Sequence, residues 1–200
     1  MINRYYVVDD FYNDPDQLVE AALNAPRNGK SRGNYAGIMT KESFLSGAQR
    51  DFLEKLLQQK PINASTELNG KIRFSKIDDT HTQYIHFDAG QTHWSGVIYL
   101  SKEHPKVDGT VFWKHLRTGL EEIPRTLERA HAAGFTTKEK VKELLEVDGI
   151  DESRWDKTLV IPYKYNRLVL FRPWMFHSPG TSFGKTLENS RKVQTLFLGR

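Results

Sequence analysis

The chain has 200 residues, 27% of them charged and 38% hydrophobic, with a formal net charge of +4 and no cysteine. That length suits a single domain with a proper core, and without cysteine there is no disulfide framework, thiolate nucleophile or cysteine-based zinc site. The charge is too small to argue for nucleic-acid binding, no apolar run approaches the roughly 18 residues of a membrane span, no secretory signal opens the chain, and the lack of cysteine fits a reducing, cytoplasmic interior.

Residues 4–10 read as a first strand. Asn13, Asp14 and Pro15 then start a helix, because a capping Asn or Asp followed by proline in the first turn is a start signal. Its apolar stripe is Leu18, Val19, Ala22 and Leu23. Residues 28–40 are rich in Gly, Asn, Arg and Ser and read as a loop. The spacing of Phe44, Phe52, Leu53, Leu56 and Leu57 predicts a second helix over 41–60, ended by Pro61. Asn69-Gly70 and residues 71–76 predict a hairpin within 63–79.

Residues 82–88 form a β-rich run, followed by strands at 94–100 and 108–113. Residues 116–157 are charged and predict two helices. One carries Leu120, Ile123, Leu127, Ala130 and His131. The other starts at Thr136-Thr137, runs over Val141, Leu144 and Leu145, and closes at Val147-Asp148-Gly149. This insert reads equally as a roof over a site, a dimer contact or an external decoration. Residues 166–171 form another strand, and a loop over 172–176 leads to His177. The last strand, 190–198, opens with Arg191.

His86-Phe87-Asp88 and His177 carry the chemistry. Strand side chains alternate faces with period two, so His86 and Asp88 point the same way and Phe87 the other. Two imidazoles and one carboxylate from separate segments are the ligand set of a non-haem Fe(II) centre, which leaves three octahedral positions open. By itself the tripeptide is weak, since a hydrogen-bonded His beside a surface Asp gives the same letters.

The ordered set of H-x-D, a strand ending in Tyr99-Leu100, a turn and strand, the distal His177 and a strand opening with Arg191 resembles the 2-oxoglutarate and Fe(II)-dependent oxygenases, in particular their prolyl-hydroxylase-like branch. The resemblance implies a mainly β fold with flanking helices: one double-stranded β-helix (jelly roll, cupin-like) domain over 1–200, with an N-terminal helical layer and the insert at 116–157. It implies His86, Asp88 and His177 as iron ligands and as the catalytic centre. Arg191, fourteen residues past the distal His, would bind the far carboxylate of 2-oxoglutarate through its planar fork, joined by the Tyr99 hydroxyl. The sequence departs from the pattern at Val193, where some members carry Ser or Thr, and in the longer gap from His177 to Arg191.

The implied activity is O2-dependent hydroxylation of an unactivated C–H bond, with release of succinate and CO2. Relatives that halogenate replace the acidic ligand, and Asp88 is present. The substrate class, a small molecule or an amino-acid side chain, stays open, as does the oligomeric state. The reading from another class is a non-catalytic cupin-like module that binds a metal or small molecule. Trp113 with His115, His93, Trp174, Arg167 and Arg172 stand as further candidates to line or flank the cavity, each with a plain packing or surface alternative.

Overall fold

β3 alternates apolar and polar residues while β1 and β7 are apolar throughout, and the structure, a computed structural model describing residues 3–28, 36–59, 67–79, 83–88 and 92–199, builds such strands into two sheets. In chain order the elements are β1 (Tyr5–Val8), α1 (Pro15–Asn24), β2 (Ile38–Met39), α2 (Gly47–Leu57), β3 (Ile72–Ser75), β4 (Trp94–Tyr99), β5 (Asp108–His115), α3 (Leu127–Ala132), α4 (Lys138–Glu146), β6 (Trp155–Pro162), β7 (Leu168–Phe171), β8 (His177–Ser178) and β9 (Arg191–Leu198). The larger sheet has the order β1-β7-β4-β9-β3-β2 and the smaller β6-β5-β8. Every strand pair is antiparallel. The fold is therefore mainly β with helices. No helix among the described residues is long and apolar enough to cross a membrane.

The two faces of the larger sheet have different tasks. Ile72, Phe74, Ile98, Leu168, Leu170 and Leu196 point to one side, where they share a buried cluster with Leu53 of α2 and with Leu18 and Val19 of α1. Asp14 caps α1 by accepting from the Gln17 backbone N–H at 3.0 Å, and Pro15 occupies the first helical turn, where its missing N–H costs nothing. On the other side, Tyr99, Val169, Phe171 and Val193 pack with Phe112 and Ile161 of the smaller sheet. The intervening residues Arg73, Ser75, Arg191 and Thr195 on that inner side line a cavity.

Four expectations need correction. The second helix begins at Gly47 after the Ser46 cap and ends at Gln58 in a left-handed conformation (φ 50°), so it does not span 41–60; Phe44 still packs on the core, but from a loop. No hairpin forms within the described part of 63–79, because β3 pairs with β2 and β9 instead. The H-x-D segment is a bend and one isolated bridge, not a strand. The first insert helix covers only 127–132, and β6 starts inside the predicted insert. That strand was hidden because Asp156 and Lys157, its exposed charges, read as the end of a charged helical region. Residues 29–35 of the predicted loop, Pro61 and Thr82 lie outside the described residues.

The insert is packed behind the site. Its Phe135 and Leu144 share a buried cluster with Ile85 and Phe176, the residues immediately before His86 and His177. The Ile85 N–H donates to the Gly149 carbonyl at 2.7 Å, and the Phe176 N–H to the Glu121 carbonyl at 3.0 Å. Holding the insert in place is Asp148, whose side chain is 3% exposed and faces His115 Nε2 at 3.1 Å, Arg117 at 3.2 Å and Arg154. The Trp155 indole donates to the Asp148 carbonyl at 2.8 Å. External decoration is thus excluded. Residues 116–157 contribute none of the described cavity wall either, so the insert acts as a buttress and not as a roof over that wall.

Burial by itself raises the Asp148 carboxyl pKa, but the guanidiniums of Arg117 and Arg154 outweigh it and hold the group below the ordinary carboxylate range. Burial also lowers the His115 imidazole, which Asp148 offsets only in part. Both shifts act in one direction. A carboxyl depressed on folding stabilises above its unfolded pKa of about 3.9 and loses that contribution as pH falls through its folded value; the histidine loses its own below about 6.5. Asp148→Asn is therefore expected to cost about 1–3 kcal/mol at pH 7, since it removes the charged acceptor from the buried His115 while the half-exposed Arg117 and Arg154 regain water. The gap from the wild type should narrow steadily as denaturant unfolding is repeated down to pH 3.

Candidate metal centre

His86 and His177 face one another as an antiparallel bridge. The His86 N–H donates to the His177 carbonyl at 2.9 Å, and the His177 N–H returns to the His86 carbonyl at 2.8 Å. The exchange of both bonds marks a hydrogen-bonded pair, which sets the two side chains next to each other. Their rings lie 4.3 Å apart between centroids. The Asp88 N–H donates to the Pro173 carbonyl at 2.7 Å, tying the H-x-D segment to the loop that leads to His177.

The ligand atoms of His86, Asp88 and His177 all lie within 4.8 Å of one another. Asp88 Oδ1 is 4.0 Å from His86 Nε2, and Asp88 Oδ2 is 3.6 Å from His177 Nε2. Each imidazole is oriented from behind. His86 Nδ1 lies 3.0 Å from the Tyr84 carbonyl and His177 Nδ1 lies 2.8 Å from the Met175 carbonyl. A carbonyl can only accept, so in the neutral ring Nδ1 carries the proton and Nε2 presents a lone pair. Two such lone pairs and a carboxylate then converge in a buried space. That arrangement repels itself unless a cation sits among the three groups, and two imidazoles with one carboxylate are the donor set of a facial non-haem iron site. The residues therefore fit a metal ion.

The trio opens onto a cavity of about 70 Å³, several times the roughly 10–15 Å³ that one water needs. Apolar side chains of Val97, Phe171, Val193 and Phe197 and hydroxyls of Ser75 and Thr110 form much of its wall. Phe171 also packs against the His177 ring, with centroids 4.4 Å apart.

Arg191 lies in the same wall and is 3% exposed. Its Nη2 donates to the Pro179 carbonyl at 2.5 Å, which anchors the guanidinium two residues along the chain from His177. The stacked rings of Tyr99 and Tyr163 flank it, at 5.9 and 5.6 Å, an arrangement that favours a cation by the ring quadrupole. Its Nε is buried without a hydrogen-bond partner among the described residues, and no carboxylate among them pairs with it. A buried guanidinium in that state suits an anion in the cavity.

Tyr99 stands one layer back. It is fully buried, its hydroxyl lies 2.7 Å from Thr110 Oγ1, and Thr110 is the one of the two that reaches the cavity wall. Desolvation, only partly offset by Thr110 and Arg191, pushes the Tyr99 hydroxyl up to about 12, so it stays protonated.

The remaining candidates fall elsewhere. Trp113 donates to Ser178 Oγ at 3.0 Å and His115 serves Asp148. Arg167 pairs with Asp9, Arg172 lies over Trp94 at 3.7 Å, and Trp174 stacks under Arg125 at 4.2 Å. None of these, nor His93, is in the described wall. Arg73 and Ser75 also line the wall, and their alternation with the core residues Ile72 and Phe74 is the signal in the sequence that marks them, one that the expected hairpin obscures.

In comparisons with known proteins, the family DUF6445, described as a family of unknown function, matches residues 2–192. No curated protein matches the chain. Among solved structures, HygX from Streptomyces hygroscopicus with nickel and 2-oxoglutarate bound is similar at 12% identity and a TM-score of 0.51, covering 98% of this chain and 82% of that one. HygX with nickel, 2-oxoglutarate and hygromycin B bound gives 12% identity and a TM-score of 0.54 over the same shares. At such identity the likeness is one of fold.

The geometry makes Gly149 a sensitive position. A Cβ there would stand 2.4 Å from the Ile85 carbonyl oxygen, so the segment carrying His86 and Asp88 would have to shift. Gly149→Ala is expected to weaken divalent-metal binding by about tenfold or more, as losses behind the ligands do. Isothermal titration with Ni(II) checks it; unchanged affinity would show that the buttress does not set the ligand geometry.

Proposed function

The chain belongs to the DUF6445 family, which hands down no activity, and from the site we propose that it is a non-haem Fe(II)- and 2-oxoglutarate-dependent oxygenase. The observation that carries this reading is one cavity shared by a buried 2-His-1-carboxylate trio and a buried guanidinium with no carboxylate partner among the described residues. The fold likeness to HygX, a protein whose structures hold nickel and 2-oxoglutarate, supports it.

In this reading the two sheets form a double-stranded β-helix. The chain visits them in alternation: β3 in the larger, residues 86–88 beside β8 of the smaller, β4 in the larger, β5 and β6 in the smaller, β7, β8 and β9 in turn. Residues 1–200 make one domain, with the N-terminal helices on the outer face and the segment 116–157 as its insert. The relation to the prolyl-hydroxylase-like branch is part of the proposal.

His86, Asp88 and His177 hold the ferrous ion through Nε2, a carboxylate oxygen and Nε2. Arg191 holds the distal carboxylate of 2-oxoglutarate, and Tyr99 acts through Thr110, whose hydroxyl lies 2.7 Å from the tyrosine hydroxyl and itself reaches the cavity wall. Val97, Phe171, Val193 and Phe197 keep the wall dry around the reacting groups. The chemistry supplied by the bound iron and cosubstrate is hydroxylation of an unactivated C–H bond of a small molecule or amino-acid side chain, with O2 consumed and succinate and CO2 released. Asp88 fills the position that must be vacated for halide, which favours hydroxylation.

Asp88→Ala and His177→Ala are each expected to weaken Fe(II) binding by about a hundredfold or more, beyond the usual effect of a group behind a ligand, with the fold retained by circular dichroism. Anaerobic titration decides the matter, and unchanged affinity in both variants overturns the assignment. Arg191→Gln should spare iron and weaken 2-oxoglutarate by about ten- to a hundredfold or more, the worth of one or two charge-assisted hydrogen bonds. Tyr99→Phe removes one neutral bond behind the wall and should cost only about two- to tenfold. Binding of 2-oxoglutarate to the iron-loaded protein under nitrogen separates the two, and succinate formation in air tests turnover.

A further inference from the structure

We propose that the prime substrate carries an anionic group and that Arg73 is the side chain that holds it; this deepens the oxygenase reading and rests on it. Arg73 sits on β3 opposite Val193 of β9, is 6% exposed, and lines the same cavity as His86, Asp88, His177 and Arg191. Its Nη2 reaches Met39 Sδ at 3.4 Å, on β2, the edge strand of the larger sheet. Ala36, just before β2, also lines the cavity. Arg73 therefore occupies the side of the cavity toward the sheet edge.

Arg191 is placed differently. It pairs with Ser75 of β3, so it stands diagonal to Arg73, a relation that separates the two residues by roughly 7–8 Å. Its guanidinium is tied to Pro179 beside the metal-facing strand. A 2-oxoglutarate that chelates the metal has one distal carboxylate left, and Arg191 takes it. Arg73 then answers to a second anion.

Charge in the cavity wall leads to the same conclusion. The wall carries the guanidiniums of Arg73 and Arg191 and the carboxylate of Asp88, a surplus of one positive charge among its described residues. Ferrous iron adds two positive charges and 2-oxoglutarate two negative, so loading the site leaves the surplus as it was. A substrate with one anionic group balances the loaded site. Phe171, Val193 and Phe197 leave an apolar surface for the rest of it. A planar guanidinium serves a carboxylate and a phosphate or sulfate ester through the same two-pronged hydrogen bonding.

The test uses protein loaded with Fe(II) and 2-oxoglutarate under nitrogen. Phenylacetate, N-acetyl-leucine and phenyl phosphate are titrated beside the uncharged phenylacetamide and N-acetyl-leucine amide, and binding is read from the visible charge-transfer absorption of the iron–cosubstrate complex. The anions should bind about ten- to a hundredfold tighter than their neutral counterparts. Arg73→Gln should erase that preference while 2-oxoglutarate affinity changes by less than about threefold, and Arg73→Lys should restore part of it. Tighter carboxylates assign a small organic acid; a tighter phosphate assigns a phosphate ester. Equal binding of neutral and anionic probes overturns the proposal, as does an anion preference that survives in Arg73→Gln or the failure of every probe at millimolar concentration. Loss of 2-oxoglutarate in Arg73→Gln as severe as in Arg191→Gln overturns it too, by moving Arg73 into the cosubstrate site. A wild-type protein that takes up no iron or no 2-oxoglutarate overturns the oxygenase reading itself, a result separate from all of these.

Discussion

The reciprocal backbone hydrogen bonds between His86 and His177 are the constraint on which the site depends. They join segments about ninety positions apart in the chain and fix them as directly opposed residues. Once the backbones are locked in that register, the side chains have little choice, and the carbonyls of Tyr84 and Met175 set the imidazole tautomers. The orientation comes from main-chain groups, which no substitution of a neighbouring side chain removes directly.

That pairing is short, and a bridge of one residue pair does not hold itself together in water. The insert supplies what a longer strand would have supplied. Glu121 and Gly149 accept backbone hydrogen bonds from the residues just before the two histidines, and Phe135 and Leu144 cover the same residues from behind. Asp148 holds the insert's 3₁₀ turn against His115 at the end of β5. A buried carboxylate is costly unless its charge is answered, and here one imidazole and two guanidiniums answer it. The outcome is a rigid support for two histidines that sit on short, irregular backbone.

The inner face of the larger sheet carries an analogous logic for charge. Strand alternation sends Ile72 and Phe74 into the core and Arg73 and Ser75 into the cavity, and on β9 it sends Leu196 and Leu198 to the core and Arg191, Val193 and Thr195 to the cavity. Two guanidiniums thus end in one partly dry space, with the Tyr99 and Tyr163 rings beside one of them. The apolar walls strengthen every charge interaction within the cavity.

Much of this was legible in the sequence by itself. α1, α4, β4, β5 and β7 follow from local rules of caps and period-two or helical spacing, while His86, Asp88, His177 and Arg191 stand out through the ordered set of motifs, and the fold gathers all four around one cavity. The rest required the third dimension. The sequence shows Arg73 next to a turn but not that β3 pairs with β9, and only that pairing puts it in the cavity. It shows Tyr99 near the right position but not that Thr110 stands between its hydroxyl and the cavity. It shows Asp148 and Gly149 as a helix stop, while their contacts with His115 and Ile85 turn them into a brace. Local rules depend on neighbours a few positions apart, whereas strand partners, cavity walls and buried ion pairs are chosen by long-range packing, which no window of the sequence contains.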